Sequence, residues 1–485
     1  MVEKDYAKIG LKAGIEIHQQ LDTGKLFCRC PGYLRNDPAE FVIKRKLHKV
    51  AGETGEVDAA VEYEHGLGRE FYYEGYNDNT CLVELDEEPP YEINIDALNE
   101  VLKIALLLNC EVYSLTQIMR KTVINGSNTS GFQRTVLIAS NGKIQASFGE
   151  VGIESICLEE ESARIISKDE KKAVYRLDRL GIPLVEIATA PDMKLPEQVK
   201  EVALKLGEIV RACRVKRGIG TIRQDINVSI RGHDKVEIKG FQDPAIMIKT
   251  VEKEVDRQLE ELKKGKKIGE VRNSKEDGTT EFLRPIPGKF RMYPETDLPL
   301  LKIGREKINE IKRMLPKMKN EIKDELKKKG LTDELINLVL EEGLEEFGVL
   351  IRVYNKDANL VAKMITLWRN EFASKTKKSF EEIKKILSER TLERILEELI
   401  KGKIEESDIK KIMEKIVNGT GIEESLKVEK ASEDDIEMEI SKIVKEKPGL
   451  RGNAYMGMVM AKFKGKLDAR KTMELIEKVL ERKNG

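Results

Sequence analysis

Near the start of the chain, Gly14-Ile15-Glu16-Ile17-His18 puts a carboxylate and an imidazole two positions apart. Ile15 and Ile17 alternate with Glu16 and His18, the period of two that marks a half-buried strand. A rise of ~3.3 Å per residue separates the two polar residues by roughly 6–7 Å on one face, a spacing that suits convergence on a metal ion or a phosphate. An exposed strand edge would carry the same pair, so the pentapeptide gains meaning only from what other segments bring to it.

Three later segments bring matching polar faces. In Ile153–Arg164, Ile156, Leu158 and Glu160 share one face, and Cys157, Glu159 and Glu161 share the other. A glutamate on the apolar face is costly unless it is paired or bound to metal, and three consecutive carboxylates repel one another until a cation intervenes. A solvated acidic strand end would look similar. Glu186 falls inside the short apolar run Leu184–Ala188, where an unpaired carboxylate is again expensive. Thr221–Arg231 alternates strictly, placing Arg223, Asp225 and Asn227 on one face, and the turn at Gly232-His233-Asp234 leads into Lys235-Val-Glu237-Ile-Lys239. A hairpin is predicted there, gathering Arg223, Asp225, Asn227, Glu237 and Lys239, although a plain surface sheet carries such residues too.

Two loops add to these. Gly126-Ser-Asn-Thr-Ser-Gly131 has the glycine spacing of a phosphate loop but continues as Phe132-Gln133, without the Lys-Ser/Thr pair of a Walker motif, so a polar binding or turn segment is predicted. Arg284–Gly288 and Arg291-Met-Tyr-Pro-Glu295-Thr-Asp297 form proline-stiffened loops of the kind that carry functional groups on a rigid scaffold. Several acids, one histidine and interspersed Arg and Lys suit Mg²⁺ held by carboxylates and substrate phosphates. The imidazole pulls toward zinc or iron, but no His-Glu-x-x-His, His-x-Glu…Cys-x-x-Cys or Gly-x-Ser-x-Gly signature is present. Phosphoryl transfer is therefore favoured over zinc hydrolysis.

The elements that must position these groups occupy the front of a chain of 485 residues, long enough for several domains and a large core. Residues 1–300 are turn-rich with strand-like alternation, and a helix is predicted over Asp96–Cys110. From Glu306 the pattern changes to Lys/Glu/Leu/Ile stretches at helical spacing. Helices are predicted over 306–328, 332–345, 355–371, 379–400, 407–417, 433–445 and 467–482. The fold class is α+β: a β-rich front domain (1–300), a helical domain (301–410) and a small helical tail (411–485).

Basic and acidic residues balance at 86 each, so any nucleic-acid surface must be a local patch. Charged residues make up 35% and aromatics 5%, a Lys/Glu bias found in thermophilic proteins and in any chain with long charged helices. Six cysteines are scattered, and only Cys28 and Cys30 lie close together, with no second cysteine pair near enough in sequence to suggest a zinc knuckle. No apolar leader core and no window of 18 apolar residues is found, which predicts a soluble, reduced, cytoplasmic protein with no membrane partner.

Taken together, Gly14–His18, Leu158-Glu-Glu-Glu161, Asp178-Arg-Leu-Gly-Ile-Pro-Leu-Val-Glu-Ile187, Ile222-Arg-Gln-Asp-Ile-Asn-Val-Ser229 and Arg291–Asp297 resemble the GatB/GatE family, the tRNA-binding kinase subunits of tRNA-dependent amidotransferases. His18-Gln-Gln-Leu-Asp-Thr, Cys81–Pro90 and Arg217-Gly-Ile-Gly-Thr-Ile resemble the archaeal E type, and the likeness runs in order along nearly the whole chain. The resemblance implies ATP-dependent phosphorylation of the side-chain carboxylate of glutamate carried on tRNA(Gln), followed by amidation with ammonia. It implies ATP and Mg²⁺ as cofactors and an asparaginase-like D subunit as the ammonia source. A non-catalytic tRNA-binding scaffold subunit is the alternative.

By the same resemblance, Glu16, His18, Glu160 and Glu186 match the metal-site acids and histidine, and all four are expected around one divalent cation. Asp225 joins the catalytic set, and Arg223, Lys239 and Arg291 are assigned to phosphate or substrate. The tail from Lys447 to Arg470, with Arg451, Lys462 and Lys464, is expected to contact the tRNA backbone. Two departures stand out. Arg217-Gly-Ile-Gly220 replaces the acidic pair that B-type members have, so a second metal site is not implied. The aspartyl-tRNA-synthetase-like domain usually inserted after Val251–Leu262 is absent, and Glu261–Glu270 closes that gap in a few residues. An insertion joined by adjacent ends can leave without breaking its parent domain.

Overall fold

The computed structural model describes residues 4–49, 55–57, 59–241, 244–286, 292–427, 433–463 and 469–484. Two compact units divide the chain, Met1–Lys319 and Asn320–Gly485. The α+β expectation holds, with the strands in the front unit and only helices among the described residues of the second.

The front unit is built on a mixed sheet that has eleven strands among the described residues. In spatial order its path runs Thr280–Pro285, Glu270–Ser274, Val236–Phe241, Ile222–Ser229, Lys12–Gln20, Pro183–Thr189, Gly149–Glu160, Phe132–Ala146, Ile118–Thr122 and Met292–Pro294, with Glu111–Val112 pairing off this path. The predicted hairpin is present, Ile226 opposite Ile238 and Asn227 opposite Glu237. Ile15 and Ile17 are fully buried in the core beside Ile226, Val228, Val185 and Ile187. Helices Ile95–Leu107, Pro196–Ala212 and Pro244–Lys263 pack their apolar residues into that same core. The alternating polar residues are left on the opposite side of the sheet.

A second sheet, Phe41–Arg45, Glu70–Gly75, Lys172–Arg176 and Arg164–Lys168, has its own small core around Tyr73 and Tyr175. Gly126, at φ +89°, lies under its Phe71 ring, where an added Cβ would come within 2.1 Å of ring carbon. Gly126–Gly131 is therefore a turn, as predicted, and only a glycine fits its first position.

The Pro244–Lys263 helix leads through six residues into Glu270–Ser274, which pairs in parallel with Val236–Phe241, so the short connection completes an intact crossover. The front unit also takes in the Leu301–Lys302 strand and the Arg305–Arg313 helix, which packs on Ile95–Leu107.

Several predicted helices are broken in two. Pro316 has no N–H to donate and falls between Arg305–Arg313 and Lys319–Lys328. Ser388 caps Glu389–Ile400, its side chain accepting from the Thr391 N–H, which ends the helix before it. Helices Leu344–Val353 and Gly452–Phe463 were not predicted; the latter carries two glycines and little amphipathic pattern, yet buries Tyr455 completely. The second unit has two cores, one spanning Leu326–Val417 and one joining Ile436–Val444, Tyr455, Val459, Ile476 and Val479.

Candidate functional site

Strand register decides which side chains meet. His18 lies directly opposite Glu186 on one side and Arg223 on the other, and Glu16 lies opposite Asp225. Glu186 in turn faces Cys157 across the next pair, so Cys157 and Glu159 point to the same side of the sheet as His18. Glu159 is paired with Thr135, and Gln133 with Lys121, which extends the polar row to a sixth strand. The row opens into a cleft of about 410 Å³ whose lining includes Glu16, His18, Lys121, Glu159, Glu186 and Glu237. That volume lies in the range of small-ligand sites. Asn125 and Ser127, from the Gly126–Gly131 turn region, form part of its wall.

Two acid groups occupy the floor. His18, Glu159 and Glu186 offer ligand atoms within 4.8 Å of one another, as do Glu16, Asp225 and Glu237. His18 Nε2 and Glu186 Oε2 are 3.0 Å apart. Burial works against the charged imidazole, but its hydrogen bond to Glu186 prevails and raises its pKa above the usual histidine value. Burial opposes the Glu186 charge as well; Lys121 and His18 outweigh it and hold the carboxyl below its ordinary range. Lys121 Nζ donates to Glu159 Oε1 at 2.5 Å and lies 3.8 Å from Glu186 Oε2.

Glu159 also accepts from Thr135 Oγ1 at 2.7 Å and from Gln133 Nε2 at 3.1 Å, so its carboxylate is held from three directions. In the second group Lys239 donates to Asp225 Oδ2 at 2.6 Å and is also paired with Glu237, while Asn227 Nδ2 donates to Glu16 Oε1 at 2.8 Å. Burial, with Glu237 and Glu186 nearby, raises the Glu16 pKa. Each acid group is thus paired with a lysine, an arrangement suited to exchanging the ammonium for a divalent ion or a phosphate.

Glu160 is not in this cleft. It points to the core side, as the alternation of its segment predicts, and is 6% exposed. There it accepts from the Arg134 N–H at 3.1 Å and Arg134 Nη1 at 3.3 Å, and Arg134 Nε also reaches Glu295 Oε2 at 2.8 Å. The apolar-face glutamate is paired, not left for metal, and the expected single quartet is replaced by two trios: Glu159 takes the place given to Glu160, and Glu16 joins Asp225 and Glu237.

Arg223 lies on the cleft and donates to Glu161 Oε1 at 2.8 Å; burial opposes the Glu161 charge, but Arg223 and Arg179 keep its pKa low. Arg291 and Lys464 lie outside the described residues. Arg451 and Lys462 are exposed at opposite ends of the Gly452–Phe463 helix, with Lys462 ion-paired to Glu439. Sequence reasoning passed over Lys121, Glu159 and Glu237 as site residues. The signal for Glu159 was its position on the face of Cys157 rather than of Leu158; Lys121 had none, because only the register of two further strands brings it in.

No described helix is long and apolar enough to cross a membrane. A GatB/GatE catalytic-domain family profile matches residues 11–309. The chain is 34% identical to the E-type subunit of the glutamyl-tRNA(Gln) amidotransferase of Methanocaldococcus jannaschii, covering 99% of this chain and 100% of that protein. It is 33% identical to the protein of that name from Archaeoglobus fulgidus over 98% and 99% of the two chains. With that of Pyrobaculum islandicum it shares 52% identity over 53% of this chain and 43% of the relative. The first of these alignments runs over 631 positions against the 485 residues here, so well over a hundred positions of the relative have no counterpart. The matched stretch contains both acid trios, the full-length relatives align with the helical back half as well, and on that evidence this chain belongs to the GatB/GatE family.

Proposed function

We propose that the cleft activates the side-chain carboxylate of glutamate esterified to tRNA(Gln) with ATP and then amidates it, giving glutaminyl-tRNA(Gln). The observation that carries this reading is the pair of lysine-neutralised acid trios on one sheet face, in a chain whose relatives are named for that transamidation. A carboxylate is a poor electrophile. Its oxygen attacks the γ-phosphorus of ATP, ADP leaves, and the resulting acyl phosphate carries phosphate as its leaving group. Ammonia then adds to the carbonyl carbon, phosphate departs, and the nitrogen loses its one extra proton to base.

Divalent ions, Mg²⁺ in the cell, would neutralise the triphosphate when bound, and the donor sets fit them: Glu16, Asp225 and Glu237 are all oxygen, and His18, Glu159 and Glu186 mix oxygen with one imidazole. The protein's own part is positioning. Lys121, Lys239 and Arg223 aim cationic donors into the cleft where phosphate oxygens would lie, and Gln133 and Thr135 fix the Glu159 carboxylate. Water would hydrolyse an acyl phosphate, so in the cell ammonia would be delivered through protein, from an asparaginase-like D subunit as obligate partner, a supply that added ammonium replaces in the test tube. Arg291 would add a phosphate contact, and the basic tail with Arg451, Lys462 and Lys464 would hold the tRNA backbone. This chemistry belongs in the cytoplasm, where charged tRNA and ATP are found. With the insertion of its relatives missing, discrimination among tRNAs is expected to be weaker than theirs.

The test is to incubate the chain, without its partner, with ATP, Mg²⁺, ammonium and Glu-tRNA(Gln). Glutaminyl-tRNA and ADP are expected to form together, only with the charged tRNA. tRNA binding without ATP consumption would instead make the chain a scaffold whose chemistry lies in its partner.

A further inference from the structure

Six glutamates line the cleft among the described residues, and the two trios use only four of them, Glu16, Glu159, Glu186 and Glu237. A fifth, Glu161, is held by Arg223 Nη2 at 2.8 Å and Gln20 Nε2 at 3.1 Å. The sixth is Glu64, on the Ala59–Gly66 helix that forms part of the wall. Val61 and Glu64 are three apart and so share one side of that helix, and burial of Val61 turns the glutamate toward the cleft that both line. Among the described residues the ion-pair partner of Glu64 is Arg69, whose Nη1 is 3.7 Å from Oε2. That distance exceeds a hydrogen bond and involves one oxygen, so the carboxylate retains room for another donor.

We propose that Glu64 binds the α-ammonium group of the glutamate esterified to tRNA, a role that rests on the reaction proposed above. The other reactants suit this wall poorly. The triphosphate and the glutamate side chain are anionic and are repelled by a carboxylate, while the divalent ions have the trios. Glutamate is joined to tRNA through its α-carboxyl, so its α-amino group is free and, when protonated, is a cation with three donors. Glu64 meets one of them. Ser127 and Ser162 donate their hydroxyl protons to Asn125 Oδ1 and Asn128 Oδ1, at 2.7 and 3.2 Å, and line the same cleft with oxygen lone pairs to offer the others. Only 17% of the Glu64 side chain is exposed, so an ammonium docked on it is largely shielded from water, where a charge-assisted hydrogen bond is strong. The wall then holds one end of the glutamate while the lysines and trios below receive the end that reacts.

Glutaryl-tRNA(Gln), in which hydrogen replaces the α-amino group without added bulk, is the probe. Wild-type kcat/KM should be roughly ten- to a hundredfold higher on Glu-tRNA(Gln) than on glutaryl-tRNA(Gln), the worth of a hydrogen bond between charged groups. E64Q should lose that factor on Glu-tRNA(Gln) and nothing further on glutaryl-tRNA(Gln), with Mn²⁺ binding and Tm unchanged, and E64D should recover part of it. Equal wild-type rates on the two substrates would overturn the proposal, as would an E64Q defect of the same size on both. A defect confined to KM for ammonium would also overturn it, by giving Glu64 to the incoming nucleophile.

Equilibrium binding without ATP needs no turnover. A tenfold preference for Glu-tRNA(Gln) that E64Q abolishes, with no glutaminyl-tRNA formed, would refute the reaction and uphold the recognition; turnover with no such preference would do the reverse. Should E64Q fail to fold, R69M decides: the carboxylate relieved of its arginine should widen the preference for Glu-tRNA(Gln) several-fold, and an unchanged preference would refute the role of Glu64.

Discussion

Neighbouring glutamates 159 and 160 make the sharpest test of the site, because they differ in which side of one strand they face. In Glu159→Gln the group held by Lys121, Thr135 and Gln133 loses its charge beside His18 and Glu186. Removing one such pre-positioned group costs roughly 10²–10³-fold in rate. In Glu160→Gln the loss falls on the core: one oxygen can still accept from the Arg134 N–H, and Arg134 keeps Glu295 at 2.8 Å.

Stripping a buried ion pair of one partner costs ~3–5 kcal/mol, but Arg134 retains its second carboxylate, and burial already pushes the Glu160 pKa up, so the neutral amide should cost only about 1–3 kcal/mol. At about 2.1 cal/mol/K per residue over the Met1–Lys319 unit, each kcal/mol is worth about 1.5 °C, so Tm falls by roughly 1.5–4.5 °C. The assays are ATP-dependent glutaminyl-tRNA formation at a temperature well below both transitions, and Tm by scanning calorimetry. Glu159→Gln should be nearly inactive with its Tm close to wild type, and Glu160→Gln should be active but less stable. The reverse pattern, an inactive and fully stable Glu160→Gln beside an active Glu159→Gln, would refute the register argument.

The same geometry bears on Lys121, Glu237 and Glu161, and a buried ion pair of the second unit gives a separate case. Lys121→Met should bind Mn²⁺ several-fold more tightly, because an ammonium no longer competes for Glu159 and Glu186, yet transamidate at least tenfold more slowly for want of a phosphate contact; titration and initial rates read both. Glu237→Gln should weaken divalent-ion binding without moving Tm by more than a few degrees, since Asp225 still pairs with Lys239. Glu161 has a folded pKa below its ordinary 4.5, so its stabilising effect is complete above pH 4.5 and is lost as pH falls through the lower folded value; Glu161→Gln should flatten that part of the stability–pH curve. In the second unit Arg369, fully buried, donates to both oxygens of Glu346 at 2.7 and 2.5 Å. Arg369→Ala should cost ~3–5 kcal/mol, and the double change Arg369→Met with Glu346→Leu should recover most of it in urea titrations.

Periodicity made much of this architecture legible. Strict alternation in Thr221–Arg231 marked a hairpin that the fold contains, and the apolar run Leu184–Ala188 marked a buried strand. The Lys/Glu-rich back half was readable as helical, but its breaks were not, because Ser388 and Thr366 interrupt helices by local capping and backbone geometry while the hydrophobic spacing carries on. At the site, a carboxylate in an apolar run was correctly marked as needing a partner. The sequence could not say whether that partner was metal or arginine, because Arg134 sits two strand-ends away from Glu160 in the chain.

Parity explains why the two trios stay separate and yet act on one cleft. A residue and its directly opposed partners share a face, so Glu16 with Asp225 and His18 with Glu186 form successive rungs on the same three strands. The side chains of each rung converge on one point, and consecutive same-face residues place the two points roughly 6–7 Å apart. A triphosphate spans that distance, with a lysine at each rung, Lys239 beside Asp225 and Lys121 beside Glu186. A cation at only one rung would leave the other rung's acids repelling the phosphate chain. Divalent-ion titration should accordingly resolve two classes of site in the presence of ATP, and His18→Ala should remove one while Glu16→Gln weakens the other. A single class lost in both variants would return the site to the one shared ion that the sequence suggested.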